Sequence, residues 1–157
     1  MKTRSSRKFL VRGALIAAIY TVLCLLFAPI SFGSIQIRIS EALTLLPILF
    51  PEAIPGLTVG CLLSNLLCGA GILDIIFGSL ATLLSALCTY FLRKSPPYLA
   101  AAPTVLLNAL IVGFVLSLSS GLPFPISALL IAAGQLLSIY AIGLPLFHLL
   151  RPRLERL

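Results

Sequence analysis

Charge in this chain is concentrated in three short tracts, and long, mostly apolar runs fill the space between them. Lys2, Arg4, Arg7, Lys8 and Arg12 form the first tract, Arg93 and Lys94 the second, and Arg151, Arg153 and Arg156 with Glu155 the third. Outside them only Arg38, Glu41, Glu52 and Asp74 are charged. A soluble domain spreads charge over its whole surface, at about 25% of residues. Here the charged fraction is 10%, the hydrophobic fraction 60% and the mean hydropathy +1.17. These values exclude an ordinary soluble fold and a disordered chain. Leu, Ile and Ala dominate without period-2 alternation, which selects helices over a membrane barrel. The expectation is an all-α membrane protein.

Pro, Gly and Ser clusters divide the chain into six apolar spans, at about 9–28, 37–51, 55–69, 73–92, 98–118 and 124–150, in one transmembrane domain over 1–157. Six crossings take roughly 120 residues and leave no room for a soluble catalytic domain. The second span is short: as an α-helix it reaches about 23 Å, less than the ~30 Å apolar core. If all six spans cross, the three basic tracts share one side of the membrane, and the positive-inside rule makes that side cytoplasmic, with both termini on it. If the second span fails to cross, the last two tracts lie outside. Six crossings are therefore expected, in the bacterial cytoplasmic membrane. Loops 29–36, 70–72 and 119–123 then face outward, and the 51–55 turn faces inward with Glu52 in water. The first span is longer than a signal-peptide core and lacks an A-x-A cleavage site, so it reads as a retained helix.

A charge inside a span costs about 2.5–3.5 kcal/mol and marks a pathway, a pairing or a site. Arg38, Ser40 and Glu41 stand at the outer end of the second span, and Arg38 and Glu41 are spaced to meet on one helical face. Asp74 opens the fourth span. Asn65 lies near the outer end of the third, Asn108 near the middle of the fifth, and Gln135 near the middle of the sixth. Five spans thus offer polar groups to the outer half, the pattern of a pocket open outward. Each residue also has a structural reading: an Arg38–Glu41 pair at the interface, an Asp74 helix cap, and interhelical hydrogen bonds from Asn65, Asn108 and Gln135. Cys24, Cys61, Cys68 and Cys88 lack CxxC spacing and local His partners, so they read as small buried hydrophobes rather than metal ligands. No cofactor is expected. Short, separated basic tracts argue against nucleic acid, and no Walker A or hydrolase motif occurs. Gly13/Ala17 and Ala14/Ala18 are small-xxx-small pairs that let another helix approach closely.

Several stretches resemble the QueT family: Gln36–Leu43, Ile54–Leu57 with Gly60–Asn65, Leu73–Leu83, Leu107–Gly113 and Ile142–Leu146. The resemblance runs over roughly residues 9–150 and is most specific in the centre. It implies a six-helix S component, the substrate-binding subunit of an energy-coupling factor (ECF) transporter. It implies uptake of a queuosine precursor of the 7-deazaguanine type, energised by a transmembrane T component and two cytoplasmic ATPases. S components dock through an A-x-x-x-A motif in the first helix, which Ala14 and Ala18 match. The chain departs from the family pattern at Gly134-Gln135, where Gly-Glu is frequent, and at Phe114-Val115, where an acid is frequent. With Glu41 and Asp74 left as anions, a ligand without the aminomethyl cation, the nitrile precursor or free queuine, stands beside the aminomethyl compound.

The expected mechanism is capture. Adjacent N–H donors on the deazaguanine edge meet a carboxylate, Glu41 first and Asp74 second. Asn65, Asn108 and Gln135 serve the remaining polar atoms, and Arg38 holds Glu41 or touches the ligand carbonyl. Phe32 or Phe77 can stack on the base, with core packing the better reading for Phe77. The outer loops, 29–36 above all, close over the ligand. The rival readings are a stand-alone secondary carrier, an S component for another vitamin-like solute, an intramembrane enzyme and a membrane scaffold. The carrier would need an internal repeat and an ion-coupling site, and its uptake would persist without any ATPase.

Overall fold

The computed structural model describes residues 2–31 and 36–154, and every regular element among them is helical. Helix α1 spans Lys2–Leu26 and the short α2 spans Ala28–Ser31. A 3-10 helix covers Ile39–Ile48, and α3 follows at Ala53–Leu67. A π-helical turn, Asp74–Gly78, leads into α4 at Ser79–Phe91. Helix α5 spans Pro97–Ser120. Helices α6 (Phe124–Leu136) and α7 (Leu144–Leu154) are joined by a π-helical stretch, Leu137–Gly143. Four described stretches are long and apolar enough to cross a membrane: Ser6–Leu26, Asp74–Phe91, Pro97–Ser120 and Phe124–Arg153. The 3-10 helix and α3 are shorter apolar helices.

The second span departs from expectation most. Its regular part is ten residues of 3-10 helix, not an α-helix over 37–51. Two local features favour the tighter coil. Pro47 removes an amide donor and crowds the preceding turn. The Thr44 hydroxyl donates to the Glu41 carbonyl three residues back, at 2.6 Å. A 3-10 coil rises about 2.0 Å per residue against 1.5 Å for an α-helix, so ten residues reach roughly 20 Å rather than 15 Å. Runs of this length are held by tertiary contact. Ser40, Glu41, Ala42, Thr44, Leu45 and Pro47 are all buried, and the segment packs against α1, α3, α4, α5, α7 and the π-helical stretch. It sits between these elements in the interior of the bundle.

Small residues set the helix spacing. A Cβ on Gly56 would lie 2.6 Å from the Gly13 carbonyl oxygen, and one on Gly60 would lie 3.0 Å from that of Ala17. Helices α1 and α3 therefore run parallel with their backbones nearly touching. The pair Gly13/Ala17 is buried in this contact, while Ala14 and Ala18 are exposed, Ala14 on the flank of the seam where it lines a groove with Gly13, Ala17 and Gly56. Gly113 packs against Ala128 in the same way between α5 and α6. Ile16, Ala53 and Ala86 share one apolar cluster, and Leu150 shares a groove with Arg12. The described basic residues of the three tracts, Arg7, Lys8 and Arg12, Arg93 and Lys94, and Arg151 and Arg153, accordingly lie at one end of the bundle.

Glu52 corrects an expectation. It is 6% exposed and accepts a 3.1 Å hydrogen bond from the Arg12 Nη1. The Arg12 guanidinium also lies over the Phe50 ring, 5.2 Å from its centroid. The 50–53 turn is thus strapped to α1 rather than open to water.

Candidate functional site

The polar cluster begins on α1. Tyr20 and Cys24 are one turn apart on its inward face, and both are buried. The Tyr20 hydroxyl donates to the Glu41 carboxylate at 2.6 Å (Oε1). Cys24 Sγ lies 3.0 Å from Ser40 Oγ. Glu41 sits in the first turn of the 3-10 helix and is fully buried. Arg38 precedes that helix in an extended conformation, φ −95° and ψ 99°, and is 3% exposed. Its carbonyl accepts the Glu41 amide at 2.9 Å, and its Nη1 lies 3.9 Å from Cys61 Sγ. The two charged residues therefore do not stack on one face of a regular helix, as their spacing suggests. Arg38 comes from the strand-like approach and Glu41 from the helix it starts.

Helix α3 supplies the next wall through Cys61 and Asn65, again one turn apart and buried. The Asn65 Nδ2 donates to the Asp74 carbonyl at 3.0 Å and lies 3.7 Å from Cys61 Sγ. A π-helical turn shifts the backbone bonding register, and this side chain supplies a donor to the first carbonyl of the Asp74–Gly78 turn. Gly78 leaves room for it: a Cβ there would approach the amide nitrogen to 3.1 Å. Asp74 itself is half-buried. It lies inside the turn, whose cap position is Leu73 with no side-chain cap bond, so the helix-cap reading of Asp74 does not hold. Cys61 and Asn65 link the two parts, since Arg38 Nη1 approaches Cys61 Sγ and Asn65 bridges from Cys61 to the Asp74 carbonyl. Arg38, Glu41, Asn65 and Asp74 thus belong to one cluster, built from the 3-10 helix, α3 and the entry to α4, at the end of the bundle away from the basic tracts.

Asn108 and Gln135 occupy a layer next to it. Two apolar clusters cross both of their helices: Leu45, Val105 and Ile139 in one, Ala81, Val112 and Ile131 in the other. Asn108 falls between Val105 and Val112, and Gln135 between Ile131 and Ile139, so the two amides share a level. They are 2% and 3% exposed. Asn108 Nδ2 donates to the Thr104 carbonyl of its own helix at 3.0 Å, so this bond is intrahelical rather than interhelical. The π-helical stretch after Gln135 presses onto the 3-10 helix, where a Cβ on Gly143 would lie 3.0 Å from Ala42 Cα.

The cluster buries both a cationic donor, the Arg38 guanidinium, and several acceptors. Glu41 Oε2, Asn65 Oδ1 and Gln135 Oε1 are buried and have no hydrogen-bond partner among the described residues. The Asn65 assignment follows from its donation to a carbonyl, which only the amide nitrogen can make. Each buried polar atom without a partner costs about 1–3 kcal/mol. These three acceptors suit the N–H donors of a small ligand, and the Arg38 guanidinium suits an acceptor on it. No group of three potential metal ligands occurs among the described residues.

Several expectations need amendment. Phe77 is 42% exposed, so it is not a core side chain. Phe32 lies outside the described residues. Cys68 and Cys88 are only partly buried, while Cys24 and Cys61 make polar contacts within the cluster rather than serving as plain apolar filler. Sequence reasoning missed Tyr20, Cys24 and Cys61. The available signal was spacing: Tyr20/Cys24 and Cys61/Asn65 are each four apart, placing polar or sulfur groups on one stripe of otherwise apolar helices.

Comparison with known proteins gives two matches. A family model described as QueT transporter matches residues 10–152. The queuosine precursor transporter QueT of Lactococcus lactis subsp. cremoris (strain MG1363) is 37% identical over 76 residues, 47% of this chain. The match spans 44% of that relative's length. No solved structure matches the chain.

Proposed function

The chain belongs to the QueT transporter family, and from that premise we propose that it is the substrate-binding subunit of an ECF-type uptake transporter for a queuosine precursor of the 7-deazaguanine type. The observation that carries the ligand class is the set of buried acceptors without partners, Glu41 Oε2, Asn65 Oδ1 and Gln135 Oε1. A 7-deazaguanine presents adjacent N–H donors on its pyrimidine edge and a further N–H on its five-membered ring. Glu41, oriented by Tyr20, accepts from the pyrimidine edge. Asn65 and Gln135 accept from the remaining donors, Arg38 faces the ligand carbonyl, and Asn108 and Asp74 complete the wall. The name of the Lactococcus relative supports the same ligand class.

In this reading the chain crosses the bacterial cytoplasmic membrane six times as one domain. The 3-10 helix and α3 are the two short crossings, and both termini are cytoplasmic. The common end of the three basic tracts supports that orientation. Exposed Ala14 and Ala18 support docking to a T component. Ala14 lines an apolar groove of about 290 Å³ with Leu10, Gly13, Ala17 and Gly56. The chemical work of ATP then falls to two ATPase subunits of the assembled transporter. Calorimetric titration of the purified protein with 7-aminomethyl-7-deazaguanine, its nitrile precursor and queuine tests the site. Glu41→Ala and Asp74→Ala are expected to weaken binding by about tenfold or more, on the scale of a lost hydrogen bond to a charged group. Unchanged affinity in both variants would remove the site.

A further inference from the structure

A second groove lies on the opposite side of α1 from the Ala14 groove. It has a volume of about 240 Å³ and apolar walls from Leu15, Ile16, Ile19, Leu43, Leu46, Phe50 and Leu150. It runs between α1, the 3-10 helix and α7. Leu15 and Ile19 are 59% and 43% exposed along it. Its basic end closes on Arg12, and Arg12 also lines a neighbouring concavity of about 340 Å³ formed with Arg7, Lys8 and Val11. An apolar trough about 10 Å long, from Arg12 to Ile19 along α1, thus meets at Arg12 a basic cup on the surface of the same helix.

We propose that this trough and cup hold one anionic phospholipid, its acyl chain along Leu15, Ile19, Leu43 and Leu46 and its phosphate between Arg7 and Lys8. The charge pattern selects the occupant. Arg12 is matched by Glu52 at 3.1 Å and lies over Phe50, so it serves as a fixed rim. Arg7 and Lys8 are exposed and give the cup its net positive charge. Basic side chains clustered at the end of a membrane helix attract anionic headgroups, and the apolar trough requires a chain attached to the anion. The bound lipid would brace α1 against the 3-10 helix that carries Glu41. The proposal stands on the membrane location of the chain and is independent of the substrate reading.

Native mass spectrometry of the detergent-purified full chain, titrated with phosphatidylglycerol or phosphatidylcholine of identical acyl chains, tests it. The expected result is one saturable phosphatidylglycerol site, about tenfold or more tighter than phosphatidylcholine. The Arg7→Gln/Lys8→Gln protein loses that preference. Ile19→Trp, which fills the trough, loses the bound lipid. Arg93→Gln/Lys94→Gln, at the separate basic loop, keeps both within about twofold. Equal affinity for the two lipids would overturn the proposal, as would loss of preference only in the Arg93/Lys94 protein. Equal binding of glycerol phosphate would mean a free-phosphate site. A dimer that Ile19→Trp dissolves would mean that a second copy covers the trough.

Discussion

Tyr20 bears on the site more than its place in an apolar helix suggests. Its hydroxyl fixes one oxygen of the buried Glu41 carboxylate and leaves the other without a partner. Tyr20→Phe keeps the ring volume and removes that bond, worth about 1.5–3 kcal/mol when one partner is charged. Deazaguanine affinity, read by calorimetry, is expected to fall by about tenfold or more while the protein still elutes as a folded species. Wild-type affinity would mean that Glu41 needs no orienting partner. At this scale the sequence was partly readable. Arg38, Glu41, Asn65 and Asp74 stand out because charge and amide groups are rare in apolar spans, and they converge. Tyr20, Cys24 and Cys61 do not stand out, because an aromatic ring or a thiol costs little in lipid and gives no polarity signal. Glu52 was misread because a carboxylate beside two prolines resembles a solvated turn, and its partner Arg12 lies 40 residues away.

The elements were legible where hydropathy alone decides them. The long apolar helices follow from uninterrupted Leu, Ile and Ala runs. The 3-10 helix did not, because its stability comes from burial on nearly every side, and composition does not encode which neighbours will surround a segment. The two π-helical stretches escaped for a related reason: each exists where a neighbour fits against it, Asn65 at Gly78 and Ala42 at Gly143. Helix α1 packs on α3 through Gly13 and Ala17 and leaves Ala14 and Ala18 exposed, and substitutions separate the packing from the proposed docking. On the buried face Gly56→Ala drives a Cβ to 2.6 Å from the Gly13 backbone carbonyl. The helices must part, and overpacking of this kind costs about 1–3 kcal/mol. A lower Tm of the purified protein is the expected readout. At the exposed alanines, Ala14→Leu/Ala18→Leu should leave Tm unchanged and, under the proposed docking, abolish co-purification with a T component. Retained co-purification would place docking elsewhere, and an unchanged Tm in Gly56→Ala would show that α1 and α3 are not in close contact.

At the scale of the whole molecule, orientation and capture depend on each other. The basic tracts gather at one end and the acceptor cluster lies toward the other, so a cytoplasmic basic end makes the cluster face outward, as uptake requires. In a background lacking the four cysteines, Ser120→Cys is expected to react with a membrane-impermeant maleimide on intact cells, and Ser95→Cys only after lysis. The reverse pattern would turn the site toward the cytosol. The central claim is that Glu41 and its neighbours hold a donor-rich deazapurine. Its most direct measurement is the mass of the small molecule released from the purified wild-type protein and from Glu41→Ala prepared alongside it. The account predicts a 7-deazaguanine mass from the wild type and its loss from the variant. A wild-type protein that releases some other solute, or a variant that releases the same deazapurine in equal yield, would contradict it.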